Sequence, residues 1–331
     1  MQPVKNILLT FDHEMFLGKK SGSIEKCMID PVNSLRPLLT KHKAKGIFFV
    51  DILGLITFQK HNINPKGVAD AKEQLQQLFK EGHYIFPHIH PHWRDSIVIK
   101  EKEFDLSNCT QYSLAKLNQE EIDQLFQTCL SFLKELDISY PAWGYRAGGW
   151  CMQPFSIYKD VFTKYNILYD FSVLPGYKNL DNNQKFDYTM IRKTSPYNFS
   201  QNVEVPDPHG SFVEFPISTM AYSEILILFD RILRKYHWKK NDRGFGDGLS
   251  ASSAGLMYNP EKKEMLSVEK LNWVKLNAYK NFLKKNNFMH LISHPKMFTQ
   301  HGLKSLDNFL SYAHKKFSIE YDPLKMLSPR K

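Results

Sequence analysis

The strongest constraint in this chain of 331 residues is a rhythm. Short apolar runs of strand length alternate with longer stretches whose apolar residues recur at helical spacing. "KNILLTF", "GIFFVDIL", "HYIFPHI", "YPAWGYRAGGW", "ILYDFSVLPG" and "FMHLISHP" read as strands, the fourth running into a loop and the fifth into a turn. Between them, residues 34–45 read as a helix ending at Gly46. Asp70 with Glu73 and Asn118 with Glu121 read as capping boxes for two further helices, "AKEQLQQLFKE" and "QEEIDQLFQTCLSFLKEL". "PFSIYKDVFTKYN", "VEKLNWVKLNAYKNFLKKNN" and "GLKSLDNFLSYAHKKF" complete the helices. Such alternation predicts an α/β fold with a parallel sheet or barrel. Ligand chemistry then belongs at the C-terminal ends of the strands. The stretch 176–265 breaks the rhythm with Asn, Asp, Ser, Gly and Tyr, and is expected to be strand-and-loop insertions within a single domain spanning 1–331.

Composition narrows the class. With 42% hydrophobic and 24% charged residues, the chain has an ordinary soluble balance and can bury a large core without a staple. Cys27, Cys109, Cys129 and Cys151 are widely spaced and read as buried thiols of a reducing compartment. The start "MQPVKNILLTFD" has no leader pattern and no run reaches membrane-spanning length, so a cytoplasmic protein is expected. The net charge of +10 favours anionic partners. Its Lys and Arg are scattered, as in "RILRKYHWKKNDR", and no nucleic-acid-binding signature accompanies them, so nucleic acid is disfavoured.

The strand ends carry the chemistry. Asp12 and Glu14 follow the first strand, two residues apart, so an extended chain points both the same way, roughly 6–7 Å apart. One carboxylate suits a metal and the other a water beside it. "FPHIHPHWRD" then places His88, His90 and His92 at alternate positions. On a continuous strand His88 and His92 stand roughly 13 Å apart, too far to share an ion. If the chain turns after residue 89 they approach to roughly 6 Å, as on a helical turn; if it does not, His88 pairs with His90. Imidazoles with one carboxylate suit zinc with a position open for water. Arg146, between Tyr145 and Trp150, could orient Asp12, and Gly148 and Gly149 let backbone approach a ligand. Asp170 and His294 end two more strands, and His294 is a candidate general acid.

In order, these motifs resemble the NodB-type polysaccharide deacetylases, carbohydrate esterase family 4. The matches are "TFDHE" at 10–14, "GHYIFPHIHPH", "YRAGGW", "YDFSV" and "HLISHP", spanning residues 7–295. "FDHEMFLGKKSG", "HIHPHW" and "YRAGGW" are most similar to a branch associated with lipopolysaccharide and surface-polysaccharide biosynthesis. The resemblance implies an irregular, partly open (β/α) barrel. It implies Asp12 as general base, His88 and His92 as metal ligands with an acidic residue, Arg146 as the tether of Asp12, Asp170 as support of the last histidine, and His294 as general acid. The sequence departs from the pattern in three places. His13 stands where the family has its metal Asp, leaving Glu14 as the better carboxylate and His13 as the other candidate. Ala-Gly-Gly replaces the proline after the arginine. His90 lies outside the family's ligand pair and is expected to contact substrate or the ligands.

The expected activity is removal of an N-acetyl group from an amino sugar, with zinc or another divalent ion as the one cofactor. Trp93, Trp143 and Trp150 are candidate sugar-stacking walls. A saccharide precursor linked to a nucleotide, or to lipid at the inner membrane surface, fits a basic cytoplasmic chain. The alternatives are a metal-dependent amidohydrolase acting on a non-sugar C–N bond and a catalytically silent saccharide-binding protein.

Overall fold

In the computed structural model, which describes residues 2–100, 103–108, 110, 112–181, 184–239, 242–250 and 257–327, the alternation produces one curled sheet. Its strands are β1 (Val4–His13), β2 (Gly46–Asp51), β3 (Tyr84–Ile89), β4 (Trp143–Ala147), β5 (Ile167–Asp170), β6 (Tyr197–Phe199), β7 (Phe212–Glu214), β8 (Phe288–Ser293) and β9 (Ser318–Glu320). Their order is β6-β7-β5-β4-β3-β2-β1-β8, with β9 pairing to the start of β1. Every pairing is parallel except β6 with β7. The C-terminal ends of β1, β2, β3, β4, β5, β7 and β8 therefore share one rim. β2 and β8 are buried at every residue, as strands covered on both faces must be. The result is the irregular, partly open barrel that the motifs imply, a half-barrel rather than a closed one.

Around the sheet run α1 (Asp30–Lys41), α2 (Ile52–Lys60), α3 (Pro65–Lys80), α4 (Gln119–Glu135), α5 (Ser156–Tyr165), α6 (Glu224–Lys239), α7 (Trp273–Lys285), α8 (Gln300–Lys316) and α9 (Pro323–Leu327). Asn118 and Glu121 form the expected capping box of α4. The Asp70 box does not form. α3 starts six residues earlier, capped by Asn64 with Pro65 at its first position, and Asp70 pairs with Lys66 at 2.5 Å. Proline lacks the N–H that a first turn leaves orphaned, so Asn-Pro was the stronger start signal. α1 ends at Lys41, and Gly46 opens β2 instead of closing the helix.

Three helices were not legible, α2, α6 and the short α9. α2 follows β2 with no loop between, Asp51 accepting from Gly54 N as its cap. Its apolar surroundings erase the helical period, so "GIFFVDIL" reads as one strand. α6 lies inside the stretch expected to be strands and loops. That stretch also contributes β6 and β7 to the sheet, a hairpin of Lys178–Leu180 with Lys185–Asp187, and an antiparallel pair, Thr219–Ala221 with Lys263–Met265, whose strands are separated by α6. Cys27, Cys129 and Cys151 are buried free thiols; Cys109 lies outside the described residues. Among the described residues no helix is long and apolar enough to cross a membrane.

Candidate active site

The alternation of strand side chains sorts the first motif. Asp12 and Glu14 face the barrel mouth. His13 faces the other way, edge-on to Phe48 at 6.1 Å between ring centres. Neither of its ring nitrogens has a partner, and burial pushes its pKa down to about 3. His13 is thus a neutral core residue, distant in direction from the site.

Arg146, fully buried at the end of β4, is the hub of one half of the mouth. Its Nη1 donates to Asp12 Oδ1. Nη2 donates to Thr10 Oγ1 at 2.8 Å and to His290 Nε2 at 3.0 Å, and Nε donates to Phe171 O at 3.0 Å. The Phe49 ring lies 4.3 Å beneath the guanidinium carbon. His290 Nδ1 faces the carbonyls of Phe215 and Pro216 at 3.0 and 3.2 Å. That fixes its proton on Nδ1 and turns the lone pair of Nε2 toward Arg146. Burial first, and the arginine second, hold His290 neutral, well below the ordinary histidine range. A buried guanidinium with all three nitrogens bonded is a rigid holder for one carboxylate oxygen.

The other half converges on three possible ligand atoms. Glu14 Oε2, His88 Nε2 and His90 Nε2 lie 2.6 to 3.2 Å from one another, and are the one group of three such donors within 4.8 Å among the described residues. His88 Nδ1 donates to Arg146 O at 2.8 Å, which aims Nε2 at this point, the usual orientation device for a ligating imidazole. Gly148 makes room for His90: a Cβ there would sit 2.7 Å from His90 Nδ1 and from Ile89 O. Lys296 Nζ donates to Glu14 Oε1 at 2.9 Å and to Met15 O at 2.6 Å. Burial would raise the Glu14 pKa, but Lys296 and the two histidines hold it well below the usual carboxylate range. Two imidazole nitrogens and one carboxylate oxygen, crowded together, are a donor set that fits a divalent transition ion.

The chain stays extended through His90 and turns only at Pro91–Asp95, a short 3₁₀ segment. His88 and His90 therefore share one side, and it is this pair, not His88 with His92, that the structure brings together beside Glu14. His92 stands next to the trio, its ring centre 4.9 Å from that of His90 and stacked on Tyr112 at 5.5 Å. Both its nitrogens are buried without a partner, an expensive state for a polar ring unless something occupies the adjoining space.

His294 completes the mouth. Its Nε2 lies 3.6 Å from Asp12 Oδ2 and 3.8 Å from Glu14 Oε1, and its side chain keeps 20% of its surface open while Asp12 and Glu14 keep 4% and 6%. Glu269 backs it, accepting from His294 N at 2.6 Å and lying 3.2 Å from Nδ1. Burial opposes the charge, yet Glu269, with Asp12 and Glu14, raises the His294 pKa to about 9. The carboxylate supporting this histidine is thus Glu269. Asp170 instead accepts from Ser172 Oγ at 2.6 Å, and that oxygen accepts from Ala147 N at 2.9 Å, beside Arg146. Asp170 is in register with Glu214, and burial with mutual repulsion raises Glu214 well above the usual range, so the pair keeps a proton.

Of the three tryptophans, Trp93 and Trp143 are core. Trp93 packs on Phe58 and Phe104 and donates to Asp51 Oδ2 at 2.5 Å, and Trp143 packs on Phe86 and Tyr140. Trp150, half-buried after Gly149, stays near the rim. Sequence reasoning missed Lys296, Glu269 and His290. Lys296 and His290 flank the "HP" that marks His294, so proximity in sequence was their only signal. Glu269 fell inside an expected helix and carried none.

No family model matches the sequence, and no curated protein matches it. Solved structures match it in shape. A protein described as a polysaccharide deacetylase from Mycobacterium smegmatis aligns over 98% of this chain and 89% of its own, at 15% identity and a TM-score of 0.50. The fold is that of the NodB-type deacetylases. An allantoinase aligns over 98% of this chain and 89% of its own, at 11% identity and a TM-score of 0.50. A 4-alpha-glucanotransferase from Thermococcus litoralis aligns over 99% of this chain and 40% of its own longer one, at 12% identity and a TM-score of 0.54. At these identities the likeness speaks to fold alone, and the chemistry rests on the site.

Proposed function

We propose that this chain is a metal-dependent hydrolase that removes an N-acetyl group from an amino sugar, within a surface-polysaccharide or lipopolysaccharide precursor. The observation that carries the reading is the convergence of Glu14, His88 and His90 beside an Asp12 and a protonated His294. In this reading Glu14, His88 and His90 hold a divalent cation, zinc by the softness of its donors, with His92 adjoining. Such a cation supplies Lewis acidity toward an acyl oxygen and makes water a stronger acid.

The chain's own residues do the rest. Arg146 holds Asp12 Oδ1, leaving Oδ2 to take a proton from water as its oxygen attacks the acyl carbon. His294 Nε2 gives its proton to the amide nitrogen as the C–N bond breaks, so acetate and a free amine leave. Glu269 keeps that proton in place beforehand. Asp170 acts at one remove, through Ser172, on the strand end that presents Arg146. The +10 charge suits a phosphate-linked precursor.

A second reading, hydrolysis of a non-sugar C–N bond, is favoured by one observation: an allantoinase shares the fold. The test is metal content by mass spectrometry on untagged protein, with Glu14→Ala, His88→Ala and His90→Ala alongside. Acetate release from N-acetylated amino-sugar substrates and ring opening of cyclic ureides follow. About one equivalent of metal, lost in the variants, with acetate released, supports the first reading. Ureide turnover alone transfers the case to the second, and no metal after reconstitution removes both.

A further inference from the structure

The surface least explained by the barrel is the outer face of α6. Ile225, Leu228, Phe229, Ile232 and Tyr236 are 55% to 69% exposed. At about 100° per residue these five fall in one stripe along the helix. The stripe is not what anchors α6. The opposite side, with buried Asp230 and half-buried Leu226, Ile227 and Leu233, faces the body of the protein. There Asp230 accepts from Asn272 Nδ2 at 2.5 Å and pairs with Lys275 at 3.1 Å and Arg234 at 3.0 Å. Along one border of the stripe stand exposed Arg231 and Lys235, one turn apart. An apolar face edged with cations is the pattern of a helix lying in a membrane interface.

We propose that the outer face of α6 docks the protein on an anionic lipid surface, the stripe entering the boundary between headgroups and acyl chains, with Arg231 and Lys235 at lipid phosphates. Charge complementarity selects this occupant over a second copy. Two copies of a +10 chain repel, and an antiparallel pairing of α6 with itself sets the Arg231 and Lys235 edges side by side. The inner side of α6 approaches the partner of His294. A cavity of about 360 Å³ lies between Leu233 and Arg234 of α6 and Glu269, the partner of His294. The docking stands whether or not the site removes acetyl groups.

The test is co-sedimentation of the full chain with vesicles of phosphatidylcholine, with and without phosphatidylglycerol. Binding is expected with phosphatidylglycerol and is expected to fade as salt rises. Phe229→Glu with Ile232→Glu abolishes it. Arg231→Gln with Lys235→Gln weakens it roughly thirtyfold, at about 1 kcal/mol for each cation near an anionic surface. Since all four side chains are exposed, the variants keep the circular dichroism and melting temperature of the parent. Failure to sediment with phosphatidylglycerol vesicles overturns the proposal, as does equal sedimentation of the Phe229→Glu, Ile232→Glu variant or equal binding to phosphatidylcholine alone. A dimer in light scattering that this variant converts to monomer assigns the face to a second copy instead.

Discussion

Around Arg146, polar atoms find partners within the protein: Asp12, Thr10, His290 and Phe171 O answer all three guanidinium nitrogens. Around Glu14, His88 and His90 the donors find chiefly one another, and His92 beside them finds nothing. The first region is a finished scaffold, its geometry over-determined by bonds. The second is a set of ligating atoms pressed together, Glu14 Oε2, His88 Nε2 and His90 Nε2 within 3.2 Å of one another. Rigidity belongs to the half that holds Asp12, and unpaired polar atoms, those of His92, to the half around Glu14.

Removing the scaffold's hub is the harshest way to break this contrast. Arg146→Ala leaves Asp12 buried without its counter-charge, and is expected to lower unfolding free energy by about 3–5 kcal/mol in denaturant titrations. An unchanged midpoint would mean the network is ornamental. Next is the ligand half. His88→Ala and His90→Ala are each expected to weaken metal binding by more than about 100-fold in chelator competition, with His92→Ala falling below either, since direct ligands exceed the 10–100-fold of supporting residues. If His92→Ala matches His88→Ala while His90→Ala is mild, the pair assignment must be reversed.

Gly148→Ala tests how closely the two regions adjoin. Its Cβ would meet both a ring nitrogen and the backbone of Ile89, so a loss of about 1–3 kcal/mol in stability and a weakened metal site are expected together. Stability loss with metal affinity intact would separate the regions. The smallest effect is electrostatic. In the proposed mechanism His294 gives a proton, and its pKa is raised to about 9, so activity should fall as pH rises through about 9. The same shift stabilises the fold fully below about 6.5 and is lost through about 9. Glu269→Gln should move that alkaline limb down toward the ordinary histidine value, read from pH–rate profiles. A limb that stays in place would show that Asp12 and Glu14 alone hold the proton.

What was legible in the sequence follows from local physics. The strand–helix period, the Asn118 cap and the placement of Asp12, Glu14, the histidines, Arg146 and His294 at strand ends depend on neighbours a few residues away. A parallel sheet then delivers all those ends to one rim. The direction of His13 could have been taken from the same alternation, since a residue between two inward carboxylates must face out.

Only the tertiary structure decided the pairings. Whether His88 meets His90 or His92 turned on the single residue at which the chain leaves the extended state, and Pro91 set that one step later than a pairing with His92 requires. That Glu269, rather than Asp170, backs His294 depends on a segment 25 residues upstream packing against β8's end. Lys296 reaches Glu14 across 282 residues of sequence. Local pattern chooses which side chains reach the mouth; contacts closed over such distances choose their partners, because only the folded sheet brings them within hydrogen-bond range.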